Sequence, residues 1–315
     1  MKLQVSSSPH IRDLASTRSL MLDVIIALIP AFIASFLLYG LPAVEVTLTT
    51  VAASIAAEYF CRRVMKRTQS IGDLSAVVTG LLLAFNMPAS VPLYLPVVGA
   101  FIAIVVVKQM FGGIGQNFVN PALAARIILT LSFPAAMTAF VVKPAGSSLL
   151  AIDLVSTATP LYLLQNSSEL PGYLSLFLGT AKGGCLGEVS AIALLIGGIY
   201  LIVRRVINPI IPLSYVAVVA AMTAIAGQDP LYHIMSGGLL LGAFFMATDY
   251  VTSPLTLKGK LIFGIGCGLL TGLIRLFGGM TEGVSFSIVL MNILVPHLDR
   301  WTRPVPFGGV SHAKK

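Results

Sequence analysis

The sequence has 315 residues, of which 57% are hydrophobic and 10% are charged, and its mean hydropathy is +0.93. Soluble globular domains carry about 25% charged residues, so this composition excludes that class and indicates an integral membrane protein. The formal net charge of +8 does not indicate a nucleic-acid partner, because the basic residues follow the pattern of membrane topology.

About ten apolar runs follow one another along the chain, near the length of about 17–25 residues that a helix needs to cross a bilayer. The first run follows a polar arm and is long enough to span, so we expect it to be retained and not cleaved as a signal peptide. In chain order the runs are Leu20–Tyr39, Ala43–Phe60, Leu74–Met87, Leu93–Val107, Pro121–Val142, Leu186–Val203, Ile210–Ala226, Leu231–Ala247, Leu261–Leu276 and Val284–His297.

Basic residues are distributed unequally between the two sets of alternate gaps. If the N-terminus is cytoplasmic, the outer gaps hold Lys143, Lys182 and Arg275, and the other 17 of the 20 basic residues lie inside (20 − 3 = 17). Because positive side chains are retained on the cytoplasmic face, both termini are predicted to be cytoplasmic. We expect a multi-pass protein of a bacterial inner membrane.

An internal repeat is visible in two places. Gly80–Phe85 resembles Gly238–Phe244, and Phe111–Gly113 after Lys108 resembles Phe277–Gly279 after Arg275. Five helices separate the partners, and an odd number reverses the direction of the chain. The fold class we predict is an all-α polytopic membrane protein with two inverted five-helix repeats. Chance similarity between Gly-Leu-rich helices is the alternative.

Two polar segments indicate breaks between helices. One runs from Gly112 through Asn120-Pro121, and the other covers Ala247–Pro254. Inverted repeats bring such breaks together near their pseudo-axis, where irregular backbone lines a cavity. Two ordinary turns are equally compatible, with Asn120 as N-cap and Pro121 as the first helical residue. The glycines at 112–115 do not indicate a dinucleotide site, because no βαβ unit accompanies them.

The longest hydrophilic gap opens with Asp153-Leu-Val-Ser-Thr-Ala-Thr-Pro160. Residue chemistry by itself favours a helix N-cap ahead of Pro160 for Ser156 to Thr159. The segment also resembles the flavin-attachment signature of the D-type membrane subunits of Rnf complexes and the B-type subunits of Na⁺-translocating NADH:quinone reductases. Further blocks resemble the Rnf D-type proteins, namely Ser8-Pro9-His10, Ile71–Ala76, Phe111–Arg126, Leu186–Ser190 and Ala247–Gly259.

The resemblance implies FMN joined by a phosphoester to Thr159, with Asp153, Ser156 and Thr157 forming the rest of the acceptor. Thr157 stands where the family commonly has glycine, so its hydroxyl is a competing acceptor. Attachment implies an external flavin transferase, since a threonine hydroxyl is unreactive by itself. A second, non-covalent flavin or riboflavin in the membrane domain is implied as well.

Residues around the next helix are candidates to contact the flavin. Lys182 would supply charge, Gly183 and Gly184 would allow close backbone approach, and Glu188 would tune the flavin or handle ions. A snorkelling lysine and a capped helix start are the alternative. Arg126 could bind a flavin or phosphate, but its position near the inner end of a run favours a snorkelling side chain.

Ionisable residues at membrane depth are candidates for an ion pathway. Asp249 is the first of them, because Thr248, Thr252 and Ser253 offer further oxygen ligands for a hard cation. Asp23 and Glu58 are further candidates, although a solvated face explains residues near span ends equally well. Scattered Cys61, Cys185 and Cys267 predict neither a disulfide framework nor an iron–sulfur cluster held by this chain, and no metal site is expected.

The resulting hypothesis is a flavin-carrying component of an Rnf complex, which moves Na⁺ or H⁺ while electrons pass between ferredoxin and NAD⁺. It implies sister subunits of the A, B, C, E and G types. The alternatives are a quinone-reducing homologue of the reductase type and a non-redox transporter or channel. Five parts are predicted: arm 1–19, first repeat 20–142, extracytoplasmic flavin loop 143–185, second repeat 186–299 and tail 300–315.

Overall fold

The computed structural model describes residues 15–142, 155–165, 170–180, 183–278 and 282–304. Its described part is mainly helical, and three helices, Thr17–Tyr39, Leu41–Val64 and Leu257–Phe277, are long and apolar enough to cross a membrane. Five shorter apolar helices accompany them. A polytopic membrane protein is therefore confirmed in outline, while the number of ten spans stays a prediction.

The first half of the chain contains α1 (Thr17–Tyr39), α2 (Leu41–Val64) and α3 (Ser75–Phe85), followed by α4 (Tyr94–Phe101), which continues as a π-helix over Ile102–Gln109. Next come α5 (Pro121–Ser132) and the single turn α6 (Pro134–Met137). Two short strands, β1 (Val141–Val142) and β2 (Val155–Ser156), pair antiparallel, and the small helices α7 (Pro160–Gln165) and α8 (Tyr173–Leu178) follow.

The second half contains α9 (Ala191–Val203), α10 (Ile210–Ile225) and α11 (Pro230–Met235). Helix α12 (Leu239–Leu241) continues as a π-helix over Gly242–Met246, and α13 (Leu257–Phe277) and α14 (Val284–Thr302) complete the described fold. Short 3₁₀ turns at Ile71–Asp73 and Leu186–Glu188 precede α3 and α9.

Two predicted runs are interrupted, and local backbone chemistry explains both. The run Pro121–Val142 ends as helix at Ser132, because Pro134 has no N–H to donate and its ring clashes with the preceding turn. The run Leu231–Ala247 breaks between Met235 and Leu239, where Gly237 has φ of 65°. Prediction of each as one continuous span was wrong.

Helix packing follows the same plan in both halves. Helix α2 packs on α4 in the first half, and α10 packs on α13 in the second. Between the halves, α1 packs on α9 and α5 on α14. The approach of α1 to α9 is close, since a Cβ added at Gly197 would lie 2.1 Å from the Ala27 carbonyl oxygen. This arrangement is what a repeat would produce, but inverted copies and the five-part division stay predictions.

Candidate functional site

The predicted acceptor segment forms the end of a small hairpin. Val141 pairs with Ser156 and Val142 with Val155, and the Thr157 N–H donates to the Phe140 carbonyl at 3.0 Å. The chain then passes into α7 at Pro160. The hairpin and α7 therefore hold Thr157 to Thr159 from both sides.

Thr159 is buried, and its Oγ1 accepts a hydrogen bond of 3.3 Å from the Tyr162 N–H. Its carbonyl accepts from the Leu163 N–H at 3.0 Å. These are the bonds of an N-cap residue, so the N-cap interpretation is confirmed for Thr159. An ester oxygen keeps its acceptor lone pairs, so this cap is chemically compatible with a phosphoester.

The other predicted acceptor residues differ in exposure. Ser156 is exposed in β2, and Thr157 is half-buried with its hydroxyl donating to the Ala158 carbonyl at 3.3 Å. Asp153 and Lys182 lie outside the described residues. Among the three described hydroxyls, Thr159 is the most enclosed.

Gly183 and Gly184 lie directly against this segment. A Cβ at Gly183 would stand 2.8 Å from Thr157 Cγ2 and 3.2 Å from the Thr157 carbonyl oxygen. The Gly184 carbonyl accepts from the buried Tyr39 hydroxyl at 3.1 Å. Glycine is required here because the backbone passes between the acceptor strand and α1, and the predicted proximity of loop and glycines is found.

Arg126 is buried and forms a network with both halves of the chain. It donates to Asn86 Oδ1 and to the Glu282 carboxylate, and lies 3.6 Å from Glu188 Oε1 and 3.6 Å from Cys185 Sγ. The expectation that Arg126 snorkels was wrong. It stands six residues into α5, about 9 Å from the helix start, too deep to reach the inner surface.

Three side chains of this network, Cys185, Glu188 and Glu282, have the donor spacing of a metal site, since their ligand atoms lie within 4.8 Å of one another. Arg126 already contacts all three side chains. The group is therefore an ion-pair network centred on a guanidinium, and it joins α5 to the segment before α9 and to the segment before α14.

Arg275 is a second buried guanidinium, located near the end of α13. It donates to the carbonyls of His233 at 2.7 Å and Ser236 at 3.3 Å, where the backbone breaks between α11 and α12. Gln165, at the end of α7, donates to the Arg275 carbonyl at 3.3 Å. Arg275 thus ties the broken helix to the segment that begins at Thr159.

Tyr173 and Asp229 connect α8 to the start of α11. The Tyr173 hydroxyl donates to the Asp229 carboxylate. This bond, with N–H donors from Leu231 and Tyr232, lowers the pKa of the Asp229 carboxyl below its ordinary value. The carboxylate therefore stays ionised and caps α11 at neutral pH.

A second buried charge group lies around Glu58, which is fully buried in α2. Lys108 Nζ donates to Glu58 Oε2 at 2.8 Å and to Ser75 Oγ at 2.6 Å, and the Ser70 hydroxyl donates to Glu58 Oε1. The solvated-face interpretation is therefore wrong for Glu58. Burial of these charges is tolerated because each has a partner of opposite sign and further hydrogen bonds.

A cavity of about 370 Å³ lies where the two predicted helix breaks meet. Its polar wall includes Lys108, Asn117 and Asn120 from the first half, and Thr248 and Asp249 from the second. We call it the inner cavity. Most of its remaining wall is apolar, including Phe244 and Phe245.

Direct hydrogen bonds join the two breaks beside the inner cavity. Asn120 caps α5 by accepting from Ala122 N–H at 3.1 Å, as predicted, and its amide also donates to the Met246 carbonyl at 3.3 Å. In the amide orientation that satisfies its neighbours, Asn292 bridges the Thr252 carbonyl and the Asn120 N–H. The breaks therefore form one polar centre.

The predicted ion-pathway residues are only partly brought together. Asp249 accepts from Thr252 Oγ1 at 3.1 Å, and Thr248 donates to the Phe244 carbonyl at 2.7 Å, both at the inner cavity. Glu58 approaches the cavity through Lys108. Asp23 instead pairs with Tyr200 and Arg204, and the cavity wall is formed by its neighbours Leu20, Met21 and Val24.

Sequence reasoning missed several partners in these networks. Lys108, Asn86 and Glu282 were not among the candidate site residues, and Arg275 was considered as a topology marker. A signal existed for Lys108 and Arg275, since each ends a predicted apolar run before a Phe-Gly-Gly motif. No comparable signal singles out Asn86 or Glu282.

Long apolar helices, broken helices around a polar centre and buried ion pairs define a multi-pass membrane protein whose polar groups face its interior. The chain belongs to the NQR2, RnfD, RnfE family, whose model matches residues 4–308. The family resemblance inferred from the sequence is thereby confirmed.

Three curated relatives are similar over almost their whole length, and each is the D-type component of its complex. The chain is 48% identical to that of the Na⁺-translocating ferredoxin:NAD⁺ oxidoreductase complex of Acetobacterium woodii, covering 100% of this chain and 98% of the relative. It is 44% identical to that of the proton-translocating ferredoxin:NAD⁺ oxidoreductase complex of Clostridium ljungdahlii, covering 96% of each. Identity is 39% to that of an ion-translocating oxidoreductase complex of Stutzerimonas stutzeri, covering 95% and 94%.

Proposed function

We propose that this chain is the FMN-carrying membrane component of an ion-translocating ferredoxin:NAD⁺ oxidoreductase complex in a bacterial inner membrane. The names of the relatives from Acetobacterium woodii and Clostridium ljungdahlii support the complex and the reaction. Sister subunits of the A, B, C, E and G types would supply the iron–sulfur clusters, the NADH module and a second flavinylated protein. The chain itself would carry electrons and help to couple them to ion movement.

The observation that carries the flavin proposal is the setting of Thr159. Its segment packs against Gly183 and Gly184, which lead directly to Glu188 and the Arg126 network. A phosphoester on Thr159 would find backbone that permits close approach and charged groups one step away. Asp153, Ser156, Thr157 and Lys182 complete the proposed surroundings of the acceptor.

Bound FMN would supply one- and two-electron chemistry, and the chain would position it and shape its electrostatic field. Thr159 would tether the phosphate, and the Tyr162 N–H would keep the ester oxygen in place. Arg126 would hold Glu188 and Glu282 ionised by direct pairing. These carboxylates would in turn fix the guanidinium near the flavin loop.

The direct test is mass spectrometry of the wild-type chain produced together with a flavin transferase. We expect the peptide that contains Thr159 to carry the mass of FMN, and the denatured chain to fluoresce as a flavin on a gel. An unmodified chain from cells that flavinylate a known substrate in parallel would contradict the flavin proposal and favour a non-redox transporter.

The inner cavity is the proposed place of the second, non-covalent flavin. Ligand sites are mostly apolar clefts of about 300–1,000 Å³ with a few converging polar groups, and this cavity of about 370 Å³ fits that description. Asn117, Asn120 and Asp249 offer donors and acceptors to the edge of a planar ring, and Phe244 and Phe245 offer apolar surface.

Filling the inner cavity is expected to displace this flavin. Leu20 lines the cavity, so Leu20→Trp should remove most of the flavin that acid denaturation releases, measured as fluorescence per mole of protein. Leu22 is 46% exposed on the same helix and is not part of the cavity wall, so Leu22→Trp is the matched control. Equal release from both variants and the wild type would place the second flavin elsewhere.

For ion coupling we propose Asp249 and Thr248 at the inner cavity, together with Glu58 and Asp23. The relatives do not decide between Na⁺ and H⁺, since one is named Na⁺-translocating and another proton-translocating. The proposed topology keeps both termini in the cytoplasm and the flavin loop outside. Unequal distribution of basic residues supports it.

Quinone reduction is the second candidate function, favoured by the NQR2 members of the family and by the turn at 112–117. Ile114, Gly115 and Asn117 of this turn line the inner cavity. Reduction of added quinone by the purified complex, abolished by substitutions in the turn, would support this function over the ferredoxin:NAD⁺ reaction.

A further inference from the structure

A second cavity, of about 390 Å³, lies beside the inner cavity at the ends of α9 and α10 and the first turn of α13. Arg205, Asn208 and Lys260 are its main polar side chains, and we call it the outer basic pocket. Val206 and Tyr250 line both cavities, and the Tyr250 hydroxyl donates to the Val206 carbonyl. The two cavities are therefore separate sites that share a wall.

The charge of the outer basic pocket is uncompensated. Arg205 is exposed and Lys260 is half-buried, and among the described residues neither forms an ion pair. The neighbouring Arg204 differs, because its guanidinium lies 3.4 Å from Asp23 Oδ2. Two like charges facing one pocket repel each other, and an anion between them would reverse that repulsion.

Apolar surface surrounds the same pocket. Ile202, Ile207 and Ile211 form part of its wall. On the adjoining turns, Val203 is 73% exposed and Leu257 is 60% exposed. Basic groups that begin where an exposed apolar surface ends mark the boundary between hydrocarbon and headgroups.

We propose that the outer basic pocket binds the headgroup of an anionic phospholipid. The lipid phosphate lies between Arg205 and Lys260, with the Asn208 amide as a further donor, and the acyl chains follow Val203 and Leu257. Basic pockets between transmembrane helices bind such headgroups, because a phosphate and its chains satisfy both the charge and the apolar surface. Free phosphate shares the headgroup chemistry but leaves the apolar surface uncovered.

Native mass spectrometry of the full chain in detergent, titrated with phosphatidylglycerol or phosphatidylcholine, tests this site. We expect the wild type to bind phosphatidylglycerol about tenfold more tightly, from two contacts of charged groups with the headgroup. Arg205→Gln/Lys260→Gln should lose most of this preference. The control Arg63→Gln/Lys66→Gln removes two exposed charges at the end of α2 and should retain it.

Equal binding of the two lipids to the wild type, or equal loss of preference in both double variants, would overturn the proposal. Complete displacement of the lipid by millimolar inorganic phosphate would identify a phosphate site and also overturn it. The assembled complex gives a further result: protection of Arg205 and Lys260 by a sister protein of the complex, with no lipid retained, would assign this face to a protein partner.

Discussion

Thr159→Ala is expected to abolish covalent flavin attachment completely, because alanine has no oxygen with which to form the phosphoester. The variant chain, produced with a flavin transferase, should show no flavin fluorescence after denaturing electrophoresis, whereas the wild type should fluoresce. Loss of the N-cap would also destabilise the six-residue helix α7, typically by about 1 kcal/mol. A second variant must therefore separate chemistry from folding.

Thr159→Asn makes that separation. Asparagine caps a helix about as well as threonine but has no hydroxyl, so the variant should keep α7 and still lack the flavin. Thr159→Ser retains the hydroxyl and should remain fluorescent. Thr157→Ala should remain fluorescent as well, since the Thr157 hydroxyl is occupied by the Ala158 carbonyl. Fluorescence that survives in Thr159→Asn but disappears in Thr157→Ala would move the bond to Thr157.

Local signals explain why much of the helical pattern could be predicted. Each predicted apolar run contains a helix, and Asn120-Pro121 begins α5 as N-cap and first residue. The hydropathy of a run does not reveal a break within it. Pro134 ends one run by its missing N–H, and Gly237 bends another by its left-handed backbone, although both segments are apolar on average.

The candidate sites could be predicted as residues but not as networks. The family resemblance pointed to Thr159, Glu188 and Arg126, and the helix breaks pointed to the inner cavity. The partners of Arg126 are 40 residues away at Asn86 and 156 residues away at Glu282. Such pairings depend on helix packing between distant segments, which periodicity along one segment cannot specify.

Glu58→Gln is expected to lower the free energy of unfolding by about 3–5 kcal/mol, the usual cost of removing one partner from a buried ion pair. The substitution leaves the Lys108 ammonium buried with the Ser75 hydroxyl but without its carboxylate. Lys108→Met should have a similar effect, because Glu58 then keeps only Ser70 and the more distant Arg62 at 3.7 Å. Unfolding in detergent, followed by circular dichroism, measures both.

The double variant Glu58→Gln/Lys108→Met should be more stable than the sum of the single losses predicts, because it leaves no unpaired charge. Asp23→Asn is the matched control: its partner Arg204 is 57% exposed at the side chain, so its loss should cost under about 1 kcal/mol. Additive losses would show that Glu58 and Lys108 are not coupled. If the double variant is stable in the assembled complex and still transports ions, Glu58 stabilises the fold and is not in the ion pathway. If it is stable but does not transport, the Glu58 carboxylate belongs to that pathway, since packing has then been preserved and only the charge is missing.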